Sequence, residues 1–215
     1  MKKIQLLYPF SRVAGIFFPV GKPENDGTCQ FYSTKCLLAC AAIHCVPNEF
    51  KKIGHETKKG IYDFIIYKPI FQVLDKIISE LKEMNCKILY WFACGDCMQK
   101  DENRIIKIID YLNGEGIIQC GFTRNKDFWQ KIKRYTNIAL TLETYAEVQK
   151  TQSYGLFAIP DYKKNVVKIY IGKYYSGSCG QSVYVYKSIK REANCLECFK
   201  QEQGCFAEIE KGEDL

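Results

Sequence analysis

The chain has 215 residues, enough for one substantial hydrophobic core or for a core with a small appendage. Its 47% hydrophobic and 26% charged residues are ordinary for a globular protein, and no apolar run reaches the ~18 residues of a transmembrane helix. The net charge of +7 comes from lysines spread along the chain, so composition alone does not indicate a nucleic-acid-binding protein.

The N-terminal segment MKKIQLLYPFSRVAGIFFPVGK has the basic start and apolar middle of a signal peptide. Pro9, Ser11 and Arg12 interrupt its apolar stretch, and IQLLY alone is more typical of a first buried strand. We therefore expect a cytoplasmic protein without a membrane partner. In a reducing compartment, clustered cysteines bind metal more often than they form disulfides, which applies to the twelve cysteines here.

Helical and extended patterns alternate from about residue 69. PIFQVLDKIISELKEMN has the apolar spacing of an amphipathic helix, and the apolar run CKILYWFA is typical of a strand covered on both faces. A second helix is predicted over ENRIIKIIDYLNGEG, a strand over IIQCGFT, a third helix over KDFWQKIKRY and another strand over NIALTLE. This alternation indicates βαβ units and a parallel sheet. Residues 47–68 are polar and irregular, which predicts a loop with a short element.

The pattern changes after residue 146. GLFAIP and NVVKIYIG predict two strands, which the loop DYKKN could join as a hairpin. From residue 176 onward the chain has little apolar periodicity, and a bound metal would be a natural way to order such a segment. We therefore expect a β/α domain over residues 1–172 and a cysteine-rich metal-binding tail over residues 173–215.

The first cysteine group has the spacing C-x6-C-x3-C-x4-C and comprises Cys29, Cys36, Cys40 and Cys45. Three thiolates from one loop can hold a four-iron cluster and leave one iron open for a substrate or cofactor. The alternative is that LLACAAIHC forms a helix in which cysteines pack as small core residues. The polar start GTCQ favours metal binding, because core packing gives no reason for a cysteine there.

The second group has the spacing C-x15-C-x2-C-x6-C and comprises Cys179, Cys195, Cys198 and Cys205. Four thiolates with a CxxC pair can hold structural zinc or a fully ligated iron–sulfur cluster. The flanking sequence REANCLECFKQEQGC is too polar to form a core, so we expect a metal site here.

A third CxxC, Cys94 and Cys97 in WFACGDCMQ, follows a predicted strand at the edge where parallel sheets place ligands. The pair could be a redox dithiol, although a thioredoxin-like motif opens a helix directly. A close approach of the Gly95 backbone, with Asp96 as a polar contact, explains the motif equally well.

The order of these elements resembles that of the radical S-adenosylmethionine enzymes. A first strand and a cysteine loop precede a strand ending in ACGDC, at the position of the superfamily's glycine motif, and later strands end in GFTRN and TLE. The closest resemblance is to a family of small phage-encoded radical-SAM-like proteins. These carry a cysteine-rich opening, a GD strand end, a G-[YF]-T-R strand end and a cysteine-rich tail. The tail is also similar to auxiliary-cluster modules of the SPASM and twitch type.

The resemblance implies a partial (β/α) TIM-like barrel with parallel strands and two [4Fe-4S] clusters, with zinc as the alternative in the tail. The superfamily's C-x3-C-x2-C loop is absent, and only Cys36-x3-Cys40 matches its first half. The ligands of the first cluster are therefore Cys29, Cys36 and Cys40, or Cys36, Cys40 and Cys45. We favour the first set, because Cys40-Ala-Ala resembles the family's last ligand running into a helix.

The resemblance further implies that S-adenosylmethionine binds at the open iron and is cleaved by one electron to a 5′-deoxyadenosyl radical, which attacks an unknown substrate. An electron donor would then be a partner. Gly95 and Asp96 would line the methionine end of S-adenosylmethionine. Arg124 and Glu143 would contact the carboxylate or the ribose of the same cofactor. Either of these last two could instead be a surface salt-bridge partner.

The alternative function is a non-catalytic module, stapled by zinc or an iron–sulfur cluster, that binds nucleic acid. Its stacking surfaces would be tyrosines that stand near lysines, namely Tyr174, Tyr175, Tyr184 and Tyr186.

Overall fold

An eight-stranded sheet with helices organises the residues that the computed structural model describes, which are 4–10, 13–38, 40, 53–151, 155–161, 166–171 and 174–179. The strands are β1 (Leu7–Phe10), β2 (Val13–Phe17), β3 (Ile88–Cys94), β4 (Ile118–Thr123), β5 (Asn137–Thr141), β6 (Leu156–Asp161), β7 (Val166–Ile171) and β8 (Tyr174–Cys179). The α-helices are α1 (Thr34–Leu38), α2 (His55–Tyr67), α3 (Ile70–Glu83), α4 (Glu102–Gly114), α5 (Lys126–Ile132) and α6 (Tyr145–Lys150). Short 3-10 turns span Pro23–Asn25 and Gln99–Asp101.

The order of strands in the sheet follows their order in the chain. Each adjacent pair from β2 to β6 is parallel, whereas β1 pairs with β2, β6 with β7 and β7 with β8 in the antiparallel sense. The predicted α/β class with a mainly parallel sheet is confirmed, and GLFAIP and NVVKIYIG form the expected antiparallel pair. Because β8 pairs with β7, the sheet extends past residue 172.

The prediction of a loop over residues 47–68 is wrong from residue 55 onward, where α2 forms. Its buried face consists of Ile61, Tyr62, Ile65 and Ile66, which recur at helical spacing and pack in the main core. The polar first turns, HETKKG, conceal this period, and Gly54 precedes the helix without a side-chain cap.

Two apolar clusters lie on opposite faces of the sheet. The larger cluster joins Leu89 and Trp91 of β3 to the buried faces of α2, α3, α4 and α5. The smaller cluster contains Ile88 and Tyr90 of the same strand, so alternate residues of β3 serve different clusters.

This alternation breaks at Phe92, which has a φ of 54° and packs in the same cluster as Trp91. The pairing of β2 with β3 also slips here, since Gly15 pairs with Tyr90 but Phe17 pairs with Cys94. A bulky residue at positive φ is strained, and such bulges re-aim the end of a strand, often beside a functional site. The strained position lies just before the ACGDC motif.

Glu80 of α3 fixes the start of the first strand. Its carboxylate accepts the backbone N–H groups of Leu6 at 2.9 Å and Leu7 at 2.7 Å, and it pairs with Lys76 at 2.8 Å. Only 8% of Glu80 is exposed, so this buried carboxylate is satisfied by charge-assisted hydrogen bonds.

Within the described part of the chain, no helix combines the length and the apolar character that crossing a membrane requires.

Candidate functional site

The carboxyl ends of the parallel strands bring the predicted motifs together. The loop that contains Cys29, Cys36 and Cys40, which we call the cysteine loop, follows β2. ACGDC, GFTRN and TLE end β3, β4 and β5 in turn. Parallel neighbours present their carboxyl ends at one edge of a sheet, which we call the mouth. The βαβ pattern predicts this placement, and the structure shows it.

Thr28 fastens the cysteine loop to the end of β3. Its hydroxyl donates to the Pro19 carbonyl at 2.9 Å and accepts the Asp96 N–H at 3.0 Å. Gly95, between these elements, has a φ of 77°, and a Cβ there would lie 2.5 Å from the Thr28 hydroxyl and 2.6 Å from Phe18. Only glycine therefore fits this position without displacing its neighbours.

Asp96 joins the ends of β3 and β4 through both of its carboxylate oxygens. Oδ1 accepts the Thr123 hydroxyl at 2.6 Å and the Cys97 N–H at 2.7 Å, and Oδ2 accepts the Arg124 N–H at 2.8 Å. Asp96 is only 6% exposed, and burial raises its pKa to about 6 despite these hydrogen bonds. Asp96 thus links the ends of β3 and β4 from a buried position at the mouth.

Asn125 extends this buried network to the next helix. Its side-chain oxygen accepts the Phe128 N–H at 3.0 Å, which caps the start of α5. Its amide nitrogen donates to Glu102 at 2.9 Å and to the Cys97 carbonyl at 3.1 Å. Asn125 was not among the site residues predicted from the sequence, although an Asn before KDFW is a typical N-cap signal.

Arg124 and Glu143 form a largely buried ion pair between neighbouring strand ends. The guanidinium donates to Glu143 Oε1 at 2.6 Å, with the two side chains 14% and 20% exposed. The same oxygen accepts the Ser33 hydroxyl at 2.6 Å. The other oxygen, Oε2, is buried and has no hydrogen-bond partner among the residues described. A buried acceptor without a donor is costly, which marks this atom as a place for a ligand donor.

The thiols of Cys29, Cys36 and Cys40 share one neighbourhood at the mouth. Burial, together with the nearby charges of Asp96, Cys40 and Cys36, raises the pKa of Cys29 to about 12 although a backbone hydrogen bond with Gly21 lowers it. Cys29 is therefore a neutral thiol at pH 7 in the metal-free protein. The effect of Cys36 and Cys40 on the pKa of Cys29 indicates that the loop brings these two thiols near Cys29.

The described side chains include no group of three Cys, His, Asp or Glu residues close enough to hold a single metal ion. Each thiolate of a four-iron cluster binds a different iron, so its ligands stand further apart than those of one ion. Cys45, the alternative ligand, lies outside the described residues.

The other CxxC places its two thiols in separate contacts. Cys94 donates to the Phe18 carbonyl at 3.1 Å, and Cys97 donates to the Met98 carbonyl at 3.6 Å. Burial raises the pKa of Cys94 to about 12 and that of Cys97 even more. Neither thiol has the lowered pKa of a reactive cysteine.

Most of the predicted tail site lies beyond the described residues. Cys179 ends β8, whereas Cys195, Cys198 and Cys205 fall outside them. Of the predicted stacking residues, Tyr174 and Tyr175 belong to β8, and Tyr184 and Tyr186 also fall outside.

No protein-family model matches this chain, and neither the curated proteins nor the solved structures contain a match to it. The residues at the mouth are therefore the basis for assigning a function.

Proposed function

We propose that this protein is an iron–sulfur protein related in chemistry to the radical S-adenosylmethionine enzymes, acting on a substrate still to be identified. One observation carries the proposal. A buried oxygen of Glu143, without a hydrogen-bond partner among the residues that the structure describes, lies beside the Arg124 guanidinium at the same mouth as the cysteine loop.

The donor set fits a cluster. Cys29, Cys36 and Cys40 supply three soft ligands from one loop, which would leave one iron open to a cofactor. A bound metal reverses the effect that keeps Cys29 protonated, because a coordinating thiol is deprotonated by the metal's charge.

The strand ends fit an amino-acid-like cofactor. Arg124 offers a planar guanidinium that can bind a carboxylate through two hydrogen bonds. The partnerless Glu143 oxygen can accept a hydrogen bond from a hydroxyl or an ammonium group. Gly95 permits close approach of the backbone, and Asp96 holds the two strand ends in register behind it.

In this proposal the chain's residues bind and orient the cofactor, and they exclude water from it. When bound, the cluster and S-adenosylmethionine would supply one-electron cleavage of the sulfonium to a 5′-deoxyadenosyl radical, with the electron delivered by a separate donor. Such chemistry requires reduced cysteines, so we propose a cytoplasmic location.

We also propose that the sheet is a partial TIM-like barrel. Its strand order follows the chain without reversal, whereas a doubly wound sheet reverses its order at a switch point. The tail would hold a second [4Fe-4S] cluster, or zinc, through Cys179, Cys195, Cys198 and Cys205.

Anaerobic reconstitution with iron and sulfide tests the ligand set by the iron bound per chain. Single alanine variants of Cys29, Cys36 and Cys40 should lose iron, while Cys45→Ala should retain it. Cys86→Ala is the matched control, because that thiol donates to the Ile88 carbonyl away from the loop. If Cys45→Ala loses as much iron as Cys36→Ala, Cys45 belongs in the set.

Titration of S-adenosylmethionine into the reduced protein then tests the catalytic part. Binding at an open iron should change the cluster's electron paramagnetic resonance signal. An unchanged signal refutes the catalytic proposal. A colourless protein that binds only zinc would support the non-catalytic module and its nucleic-acid partner.

A further inference from the structure

The short helix α1 carries Cys36 and depends on contacts from outside itself. Five residues are too few to form a stable helix in isolation. Ser33, immediately before it, acts as the N-cap, because its hydroxyl oxygen accepts the Cys36 N–H at 2.9 Å. The position of Cys36 therefore depends on the orientation of the Ser33 hydroxyl.

Glu143 fixes that orientation. The Ser33 hydroxyl donates its proton to Glu143 Oε1 at 2.6 Å, which leaves its lone pairs for the Cys36 N–H. Glu143 is itself held, since Arg124 donates to the same oxygen at 2.6 Å and the Glu143 N–H donates to Glu147 at 2.8 Å. Glu147 also completes the capping box with Thr144 that begins α6.

The contact also crosses the mouth. Ser33 lies in the loop after β2 and Glu143 follows β5, and β3 and β4 separate these strands in the sheet. The cysteine loop must therefore reach over two strand ends to make this hydrogen bond. A salt bridge that only joined β4 to β5 would need Arg124 and Glu143 but not Ser33.

We propose that Glu143 is a positioning residue for the cysteine loop, acting through Ser33 to hold α1 and its Cys36 over the mouth. The inference deepens the proposed function, on which it rests for the identification of Cys36 as a metal ligand. It gives Glu143 Oε1 a task distinct from the ligand contact proposed for Oε2.

Amide hydrogen exchange in the metal-free full chain tests the positioning directly. Exchange at the Cys36 N–H should accelerate about fivefold in Ser33→Ala, the factor that corresponds to an N-cap of ~1 kcal/mol. Glu143→Leu should accelerate it similarly, while Ser33→Thr and Glu143→Gln, which keep the hydroxyl and the acceptor, should restore most of the protection. Ser79→Ala is the matched control, because that hydroxyl bonds only to exposed Glu83 at 3.4 Å. Unchanged exchange in Glu143→Leu overturns the proposal.

Iron bound during anaerobic reconstitution with iron and sulfide measures the consequence for the ligand site, in a Cys198→Ala background that removes the proposed tail site. Ser33→Ala and Glu143→Leu should each raise the iron concentration needed for half-maximal loading about fivefold. The double variant should need no more iron than the worse single variant, because both changes break one chain of hydrogen bonds. Additive losses would show independent effects and refute the relay.

The two measurements separate the inference from the proposed function. If the wild type binds no iron, the proposed function fails, and exchange at Cys36 still decides whether Glu143 positions α1. If the wild type binds iron but Glu143→Leu alters neither exchange nor iron loading, the positioning role fails alone.

Discussion

Replacing Asp96 with asparagine should remove a pH dependence that this buried carboxyl group imposes on folding. Asp96 is 6% exposed, and burial raises its pKa from 3.8 to about 6 although three hydrogen bonds favour the charged form. The folded state therefore binds a proton more tightly at Asp96 than the unfolded state does. Between these two pKa values, stability contributed by this group falls as the pH rises.

The magnitude follows from the two pKa values. The difference between 3.8 and about 6 corresponds to roughly 3 kcal/mol of unfolding free energy lost between low and neutral pH. Of this, roughly 2 kcal/mol should be lost between about pH 4.5 and about pH 7.5. Asparagine cannot titrate, so its unfolding free energy should lack this component.

Urea denaturation of the metal-free protein at a series of pH values measures the effect. Trp91 and Trp129 are fully buried and report unfolding by fluorescence. The unfolding free energy of the wild type minus that of Asp96→Asn should decrease by about 2 kcal/mol over this range. Asp63→Asn, a change at an exposed carboxylate of α2, serves as the control and should follow the wild type. Parallel pH profiles for the wild type and Asp96→Asn would refute the reasoning.

Three further changes test other parts of the molecule. Glu80→Leu removes the acceptor for two backbone N–H groups and should cost about 3 kcal/mol in urea unfolding, whereas Glu83→Leu, exposed on the same helix, should cost little. Arg124→Ala should weaken S-adenosylmethionine binding to the reconstituted protein about tenfold to hundredfold, while exposed Arg134→Ala should not; equal affinities would remove Arg124 from the site. Cys198→Ala should lower metal content and make the chain protease-sensitive after β8, since metal binding would order the tail. A protected tail with unchanged metal content would rule out that site.

The sequence was most informative where a single period persists over a long segment. The helical spacing of PIFQVLDKIISELKEMN and the apolar run CKILYWFA each predict one element, and both predictions are confirmed by α3 and β3. The apolar periodicity does not predict an element correctly where polar residues begin it, as in α2. It also fails at β2, because the short apolar segment VAGIF follows Pro9 and Arg12 and reads as an interrupted stretch.

At the site, the sequence predicts which strand-end residues lie at the mouth, but it does not predict which side chains they contact. Asp96, Arg124 and Glu143 reach the same mouth because parallel strands end on one side of a sheet. Their partners depend on the reach and direction of side chains, which have no periodic signal. Thr28 and Ser33 were therefore missed, although each makes two hydrogen bonds that hold the cysteine loop.

The charge balance at the mouth bears on what can bind there. Burial, and to a smaller extent the charges of Asp96, Cys40 and Cys36, make ionisation of Cys29 less favourable and raise its pKa, so Cys29 remains protonated at neutral pH without metal. Arg124 is already paired with Glu143, and so it offsets little of the negative charge that thiolates would add. In the proposed function, a metal cluster would supply positive charge at the mouth and displace the thiol protons, because ligating thiols bind metal as thiolates.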